Sequence, residues 1–101
     1  MIKVLKSDVF DTWLRALSDR QARARIADRI SRIEEGNLGD HKSVGHGVSE
    51  LRLSFGPGYR IYFIRHGQTV VVLLCGGDKK GQARDIVKAK ELARAWKELN
   101  Q

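Results

Sequence analysis

The chain of 101 residues has one cysteine, one proline and no long apolar run. Cys75 has no second cysteine with which to form a disulfide within the chain, and one cysteine cannot build a multi-cysteine zinc site. A reducing cytoplasm is therefore expected. The longest apolar run, residues 70–75, has the length of a strand and falls short of the roughly 18 residues of a membrane span. The N-terminal residues lack the apolar core of a signal peptide. We therefore expect neither secretion nor a membrane partner.

Positive charge exceeds negative charge along the whole chain. Lysine and arginine number 19 against 12 aspartates and glutamates, which gives a formal net charge of +7. Such an excess is typical of small nucleic-acid-binding domains, and it also attracts an acidic protein partner. Because a chain of this length holds one hydrophobic core, we predict a single domain over residues 1–101, in which folding must assemble any basic patch.

All ten glycines lie in the middle of the chain, between Gly36 and Gly81. This placement predicts helical outer parts and a middle made of strands and turns. A short strand is expected over residues 2–5, followed by a helix with Ser7 as its N-cap and a second helix that ends at Gly36. Two helices with so short a connection predict an antiparallel helical hairpin.

Residues 48–65 alternate in hydrophobicity with a period of two, which predicts a β-hairpin whose loop is residues 56–58. One face of this hairpin is expected to pack on the helices, and its residues are Leu51, Leu53, Phe55, Tyr59, Ile61 and Phe63. The opposite face is expected to be open. It presents Arg52, Arg60 and Tyr62, with Arg52 directly across from Tyr62.

A third apolar strand over residues 69–75 leads into a basic loop between glycines, residues 76–81, and then a helix over 82–99. The loop brings Lys79 and Lys80 toward Arg52 and Arg60. Arginine side chains bind phosphate oxygens in a bidentate manner, and glycines let a loop backbone approach a ligand. One interpretation is a phosphate-binding or RNA-cleaving groove. The other is a solvated sheet face whose arginines pair with acidic side chains.

Three further features carry weaker signals. His46, between two glycines, is either a candidate general base or a surface-loop histidine, and no histidine spacing matches a zinc motif. Trp13 and Trp96 are expected in the core. The second helix carries arginines that form either a nucleic-acid surface or a solvated face paired with its own acids, namely Arg20, Arg23, Arg25, Arg29 and Arg32. No cofactor and no metal are expected.

The chain resembles the RelE/ParE toxin superfamily over nearly its whole length, in the runs GDHKSVGHGVSELRLSFGPGYRIYFIRHG and VVVLLCGGDKKGQARDIVKAKELA. The most specific parts are GVSELR, GPGYR, and GGDK followed by Gln82 and Asp85-Ile86. Within the superfamily the chain looks like the HigB-like addiction module killer proteins of bacterial toxin–antitoxin systems. The resemblance implies an α+β fold, with two N-terminal helices packed on a mainly antiparallel sheet of about four strands and a C-terminal helix.

The resemblance also implies an activity and partners. The activity is a metal-independent cleavage of messenger RNA on the ribosome, which stops translation in the cytoplasm. The protein partner is a helix-turn-helix, HigA-like antitoxin. ParE-like relatives share the fold and act on DNA gyrase instead, so a non-catalytic poison and a degenerate, inactive toxin are the alternatives.

The resemblance assigns roles to the basic residues already grouped above. Arg60 is the expected phosphate clamp, Arg52 neutralises the transition state, and Lys80 or Lys79 binds the next phosphate or protonates the leaving group. Several relatives place a tyrosine or histidine in the C-terminal segment, whereas this chain has Ile86 and no tyrosine or histidine after His66. The general base is therefore left to Glu50 or His46. The predicted RNA-binding residues are Arg52, Arg60, Tyr62, Lys79 and Lys80, and the predicted catalytic residues are Arg52, Arg60, Lys79, Lys80, Glu50 and His46.

Overall fold

The computed structural model describes residues 1–101 as eight main helices and strands. In chain order these are β1 (Lys3–Lys6), α1 (Asp8–Ala16), α2 (Arg20–Glu34), β2 (His41–Gly45), β3 (Val48–Arg52), β4 (Arg60–His66), β5 (Val70–Gly77) and α3 (Gln82–Leu99). A single 3-10 turn, Lys79–Gly81, leads from the end of β5 into α3. None of the helices is long and apolar enough to cross a membrane.

The five strands form one mixed sheet in the order β1-β5-β4-β3-β2. β1 runs parallel to β5, and the other neighbours are antiparallel. The predicted α+β architecture with a mainly antiparallel sheet is therefore confirmed, with one strand more than expected. The additional strand is β2, whose first three residues are exposed and which holds a single large apolar residue, Val44. So polar an edge strand gives no alternation signal in the sequence.

The connection between β3 and β4 is longer than predicted. Arg52 lies across from Arg60, and Glu50 lies across from Tyr62, so residues 53–59 connect the two strands. The predicted neighbour pair Arg52–Tyr62 is therefore wrong by two residues. Because side chains alternate with a period of two, this shift leaves each residue on its predicted face and changes only its cross-strand neighbour.

The face predicted to pack on α1 and α2 does so. Its core residues are Phe10, Ala22, Ile26, Ile30, Ile33, Leu51, Leu53, Tyr59, Ile61, Phe63, Val71 and Leu73. The opposite face is not open as predicted, because α3 covers it through a second core of Val48, Tyr62, Ile64, Val72, Leu74, Cys75, Ala89 and Ala93. The central strands β4 and β5 carry apolar side chains on both faces, and such strands need cover on both sides.

Capping residues fix where α1 and α2 begin and end. Ser7 Oγ accepts a hydrogen bond from the Phe10 N–H at 3.0 Å and donates one to the Leu74 carbonyl at 2.6 Å, which ties the start of α1 to β5. Asp19 caps α2, and Gly36 follows that helix with a φ of +97°. The predicted Ser7 cap and the predicted end at Gly36 are confirmed.

Candidate functional site

Three residues lie side by side at one end of the sheet. Arg52 on β3 is paired with Arg60 on β4, and Arg60 is paired with Gly77 on β5. Paired Cα atoms in antiparallel strands are about 4.5–5.5 Å apart, so the two arginines are immediate neighbours. We call Arg52, Arg60 and the Gly77 position the arginine row. All three positions face the side of the sheet that α3 covers.

Lys79, in the turn after β5, lies next to the arginine row. A Cβ atom placed on Gly58 would be 3.3 Å from Lys79 Cβ and 3.4 Å from Arg60 Nη1, so these two side chains flank Gly58. The φ of Gly58 is +76°, a conformation that favours glycine. The next residue, Lys80, points away from this position and lines a separate groove with Arg84. The structure thus brings Arg52, Arg60 and Lys79 together and sets Lys80 beside them.

The Arg60 side chain is held in place by the protein and is only 12% exposed. Its Nη1 donates hydrogen bonds to the carbonyls of Gly58 and Tyr59 at 3.0 and 3.1 Å. Its Nε lies 3.8 Å from Glu50 Oε1. A guanidinium fixed in this way loses little conformational freedom when it binds an anion.

Glu50 is the one charged residue among the buried residues of the chain, with no exposed surface. Its Oε2 accepts a hydrogen bond of 2.6 Å from Gln82 Nε2, at the first residue of α3. The carboxylate therefore connects α3 to Arg60, and a substrate has no access to it in this conformation. Glu50 is thus placed to orient Arg60, and the predicted role of its carboxylate as a general base is not supported by its burial.

Tyr62 is also fully buried, beside Glu50 on the neighbouring strand. Its hydroxyl, Glu50 Oε1 and Arg60 Nε are buried without a hydrogen-bond partner in the chain. Burial, and then the nearby Glu50 carboxylate, raise the pKa of Tyr62 well above its usual value. Because α3 covers the Tyr62 ring, the ring has no exposed surface for the predicted contact with RNA in this conformation.

Arg52 has a more exposed position than Arg60. It forms an ion pair of 2.8 Å with Asp40, which lies just before β2. The hydrogen bond from Arg52 lowers the pKa of Asp40, and the same bond raises the pKa of Arg52. Exposed ion pairs of this kind contribute little to stability, so Arg52 can exchange Asp40 for another anion at small cost.

Asp85 is a residue that sequence reasoning did not single out for chemistry. Its carboxylate lies over Gly77, where the Oδ2 atom fills the space that a Cβ atom would need. Asp85 is therefore next to the arginine row, and burial raises the pKa of its carboxyl. The available sequence signal was a glycine at the end of a strand together with an acid in the first turn of the following helix.

His46 lies at the other end of β3. It occupies the turn between β2 and β3 with a φ of +57°, and it lines a groove with Lys90 and Lys97 of α3. Six residues of extended chain separate it from Arg52, a distance of about 20 Å. The structure does not bring His46 to the arginine row, so it is not placed to act as a base there.

The arginines of α2 mostly have partners within the chain. Arg29 donates hydrogen bonds to the carbonyls of Leu38, Asp40 and Arg52 at 3.2, 2.9 and 3.0 Å, which holds the chain before β2 against β3. Arg32 pairs with Asp28 at 3.1 Å across one helical turn, as the solvated-face interpretation expects. Arg25 lies over the ring of Phe55 at 4.7 Å.

Metal-binding and thiol chemistry have little support in the structure. No group of three or more histidine, cysteine, aspartate or glutamate side chains is arranged to hold a metal ion. Cys75 is buried, and burial raises the pKa of its thiol to about 12. A thiol that stays protonated at neutral pH is a poor nucleophile.

A small α+β domain with arginines and a lysine at one end of its sheet is the architecture that the sequence resemblance implied. The chain belongs to the family described as Phage derived protein Gp49-like (DUF891), which matches residues 12–100. This is a family of toxin–antitoxin toxins of the RelE/HigB type. A protein of Haemophilus influenzae (strain Rd), named as an uncharacterized protein, is 47% identical over 92 residues, which cover 91% of this chain and 93% of that protein. No solved structure matches the chain.

Proposed function

We propose that this protein is the toxin of a type II toxin–antitoxin system, of the HigB-like branch, and that it cleaves messenger RNA on the ribosome. The observation that carries this proposal is the fixed guanidinium of Arg60. The buried Glu50 carboxylate faces it, and Arg52 and Lys79 lie on either side. Three cationic side chains at neighbouring positions favour binding of a phosphate anion, which can take the place of Asp40 at Arg52. A fixed cationic cluster of this kind stabilises the charge that develops when a phosphodiester bond is cleaved.

The proposed reaction uses the RNA's own 2′-hydroxyl as the nucleophile. This oxygen attacks the adjacent phosphorus, the bond from phosphorus to the 5′-oxygen breaks, and a 2′,3′-cyclic phosphate and a free 5′-hydroxyl result. Arg60 binds the non-bridging oxygens, and Arg52 adds a second positive charge after it releases Asp40. Lys79 lies beside Arg60, where it can donate a proton to the leaving 5′-oxygen, and Lys80 binds the neighbouring phosphate.

The general base in this proposal is Asp85. Its carboxyl adjoins the arginine row, and a raised pKa makes a carboxylate a stronger base near neutral pH. Glu50 is a positioning residue for Arg60, and His46 takes no part because it lies at the other end of β3.

Primer extension on messenger RNA after a brief induction tests the proposal. Wild type and Arg65→Ala should produce new 5′-hydroxyl ends within messages, whereas Arg60→Ala should not. Arg65 is a matched control, because it is an exposed arginine on the same strand. Loss of one charge-stabilising donor lowers rates about 10²–10³-fold. Growth arrest by the wild type without new RNA ends would overturn the nuclease activity.

The proposed protein partner is an acidic helix-turn-helix antitoxin that binds the arginines of α2. Arg25 and Arg32 stay exposed and line a groove that Arg52 borders and that Arg60 and Lys80 do not reach. A partner bound there adds bulk that blocks entry to the ribosome. Calorimetry with Arg60→Ala and Lys80→Ala tests the location. Both variants should keep antitoxin affinity, and a loss above about 1.4 kcal/mol, tenfold in affinity, would place the antitoxin on the arginine row.

A protein-binding poison that acts on gyrase is the second candidate function. The observation that favours it is that α3, the helix next to the arginine row, contains no tyrosine or histidine. Pulse labelling after induction separates the two candidates. Prompt loss of amino-acid incorporation supports the nuclease, and DNA damage with intact translation supports the poison.

A further inference from the structure

A second groove lies next to the arginine row, on the side to which Lys80 points. It encloses about 740 Å³ between the end of β5 and the start of α3. A smaller groove of about 460 Å³ continues from it past Trp13 toward Thr12 of α1. Trp13, Gly76 and Lys88 line both grooves, so the two form one continuous depression. We call it the Trp13 groove.

Trp13 is fixed within this groove. The six-membered part of its indole lies against the backbone of Gly76, where any Cβ atom would collide with the ring. Phe10 and Tyr59 hold the ring from the core side, with ring centroids 5.8 and 6.1 Å away. The indole is nonetheless only half-buried and lines both parts of the groove. A held, half-exposed indole is the kind of side chain on which a nucleic-acid base stacks.

Three positive side chains surround Trp13 without an ion-pair partner. Lys80, Arg84 and Lys88 are exposed, and none of the ion pairs of the chain includes them. Arg84 and Lys88 are one helical turn apart, so they lie on the same side of α3. They are placed to contact successive phosphates along a strand.

Three acids also line the Trp13 groove, namely Asp8, Asp78 and Asp85. Asp78 accepts hydrogen bonds from the N–H groups of Lys80 and Gly81 at 3.0 and 3.1 Å. Asp85 packs against Gly77 at the end nearest the arginine row. Asp8 lies at the opposite end of the groove, in the first turn of α1. Lys80, Arg84 and Lys88 are therefore the side chains of the groove that can bind phosphates.

We propose that the Trp13 groove binds an unpaired nucleotide of single-stranded RNA, with its base stacked on Trp13 and its phosphates held by Lys80, Arg84 and Lys88. The identity of RNA as the ligand rests on the proposed function. The turn Lys79–Gly81 lies between the arginine row and this groove, so a strand clamped at Arg60 continues over the turn into the groove. A base pair in a duplex cannot offer its face to the indole, so the groove selects unpaired RNA.

Fluorescence of Trp13 reports directly on this binding. The chain has two tryptophans, and Trp96→Phe leaves Trp13 as the only one. A single-stranded RNA of about six nucleotides, with 2′-O-methyl riboses, binds without being cleaved and is a suitable length for one site. We expect saturable quenching of Trp13 at low salt. The readout does not depend on ribosomes or on catalysis, so failure of the nuclease activity leaves it intact.

Charge variants in the Trp96→Phe background locate the phosphates. Arg84→Ala and Lys88→Ala should each weaken binding about three- to tenfold. Each should also make the slope of log affinity against log salt shallower by about 0.7, because one phosphate of the single strand is no longer neutralised. Arg94→Ala is the matched control, because it removes an exposed arginine from the groove near His46 on the same helix. It should leave quenching and affinity unchanged.

Several results would overturn the proposal. One is the absence of quenching, and another is an equal loss of affinity in Arg94→Ala and Lys88→Ala. Equal quenching by a duplex of the same sequence would exclude stacking of an unpaired base. Quenching by an acidic peptide and not by the RNA would assign the groove to a protein partner.

Discussion

Helices cover both faces of the sheet, but the two buried faces differ in the polarity of their side chains. The face toward α1 and α2 buries twelve residues whose only polar side-chain group is the Tyr59 hydroxyl. The core between the sheet and α3 is smaller, with eight buried residues, and α3 contributes two buried alanines to it, Ala89 and Ala93. This second face also buries the carboxylate of Glu50 and the hydroxyl of Tyr62.

The difference shows where a small domain can place polar chemistry. Burying a charge or a hydroxyl opposes folding unless partners compensate for the lost solvation. The α3 face carries this cost at its arginine end, where Glu50 meets Gln82 and Arg60. The apolar α1/α2 face supplies the stability that compensates for it. We expect substitutions on the first face to change stability alone, and substitutions on the second face to change stability and activity together.

The largest expected effect on stability is that of Phe10→Ala on the α1/α2 face. Phe10 is fully buried, and truncating a buried phenylalanine costs about 3–5 kcal/mol. Urea unfolding measures this loss. Val87→Ala, at a residue of α3 that is 59% exposed, serves as the control and should unfold as the wild type does. A loss below about 1 kcal/mol for Phe10→Ala would contradict the description of this face as the main core.

A smaller loss of stability, accompanied by a loss of activity, is expected for Glu50→Gln on the α3 face. The substitution keeps the shape but removes the charge that faces Arg60, and hydrogen bonds to charged groups contribute about 1.5–3 kcal/mol. Urea unfolding and RNA cleavage should both be measured. Cleavage at the wild-type rate in a folded Glu50→Gln variant would show that Glu50 does not position Arg60.

Gly77→Ala should disturb the α3 face by steric conflict. The added Cβ atom meets the Asp85 carboxylate, and overpacking of this kind costs about 1–3 kcal/mol. In an Asp85→Ala background the conflict is absent, so the double variant Gly77→Ala/Asp85→Ala should be nearly as stable as Asp85→Ala in thermal unfolding. If the double variant is no more stable than Gly77→Ala, the carboxylate does not occupy the space at Gly77.

The smallest effects are expected from two carboxylates whose pKa values shift in opposite directions. The pKa of Asp85 is raised by burial, so its ionisation destabilises the fold as the pH rises through that pKa. The pKa of Asp40 is lowered by the hydrogen bond from Arg52, so its ionised form stabilises the fold, and this contribution is lost as the pH falls through the lowered pKa.

Asp85→Asn should therefore raise the Tm at pH 7, and Asp40→Asn should lower it slightly. The gain from Asp85→Asn should vanish below the ordinary carboxyl pKa of about 3.9, where the carboxyl is protonated in both the folded and unfolded states. Shifts of both variants in the same direction at pH 7 would contradict this assignment.

Local sequence signals were enough wherever the physical cause was local. The Ser7 cap, the end of α2 at Gly36 and the two faces of the β3–β4 hairpin follow from side chains a few residues apart. The register of that hairpin did not follow. Its loop contains Gly56, Pro57 and Gly58, which mark a turn, but whether strand pairing continues up to the turn depends on Leu53, Phe55 and Tyr59 packing in the core.

For the candidate site, the sequence identified the basic residues but not their surroundings. Arg52, Arg60 and Lys79 do lie close together. The burial of Tyr62 and Glu50 and the distance to His46 depend on where α3 packs and how β2 turns into β3. The sequence pattern of α3 does not predict where the helix packs, and the pattern of residues 41–52 does not predict how β2 turns into β3.

The sequence by itself determined every helix and strand except β2, the face of each predicted strand and the basic character of the chain, because period, capping and charge are properties of neighbouring residues. Only the tertiary structure decided that α3 covers the face of the sheet with the arginine row, that Gln82 reaches Glu50 and that Asp85 occupies the space left by Gly77. The physical reason is that burial and hydrogen bonding between distant residues depend on the docking of whole elements. Glu50 and Gln82 are 32 positions apart, and only that docking brings their side chains within 2.6 Å.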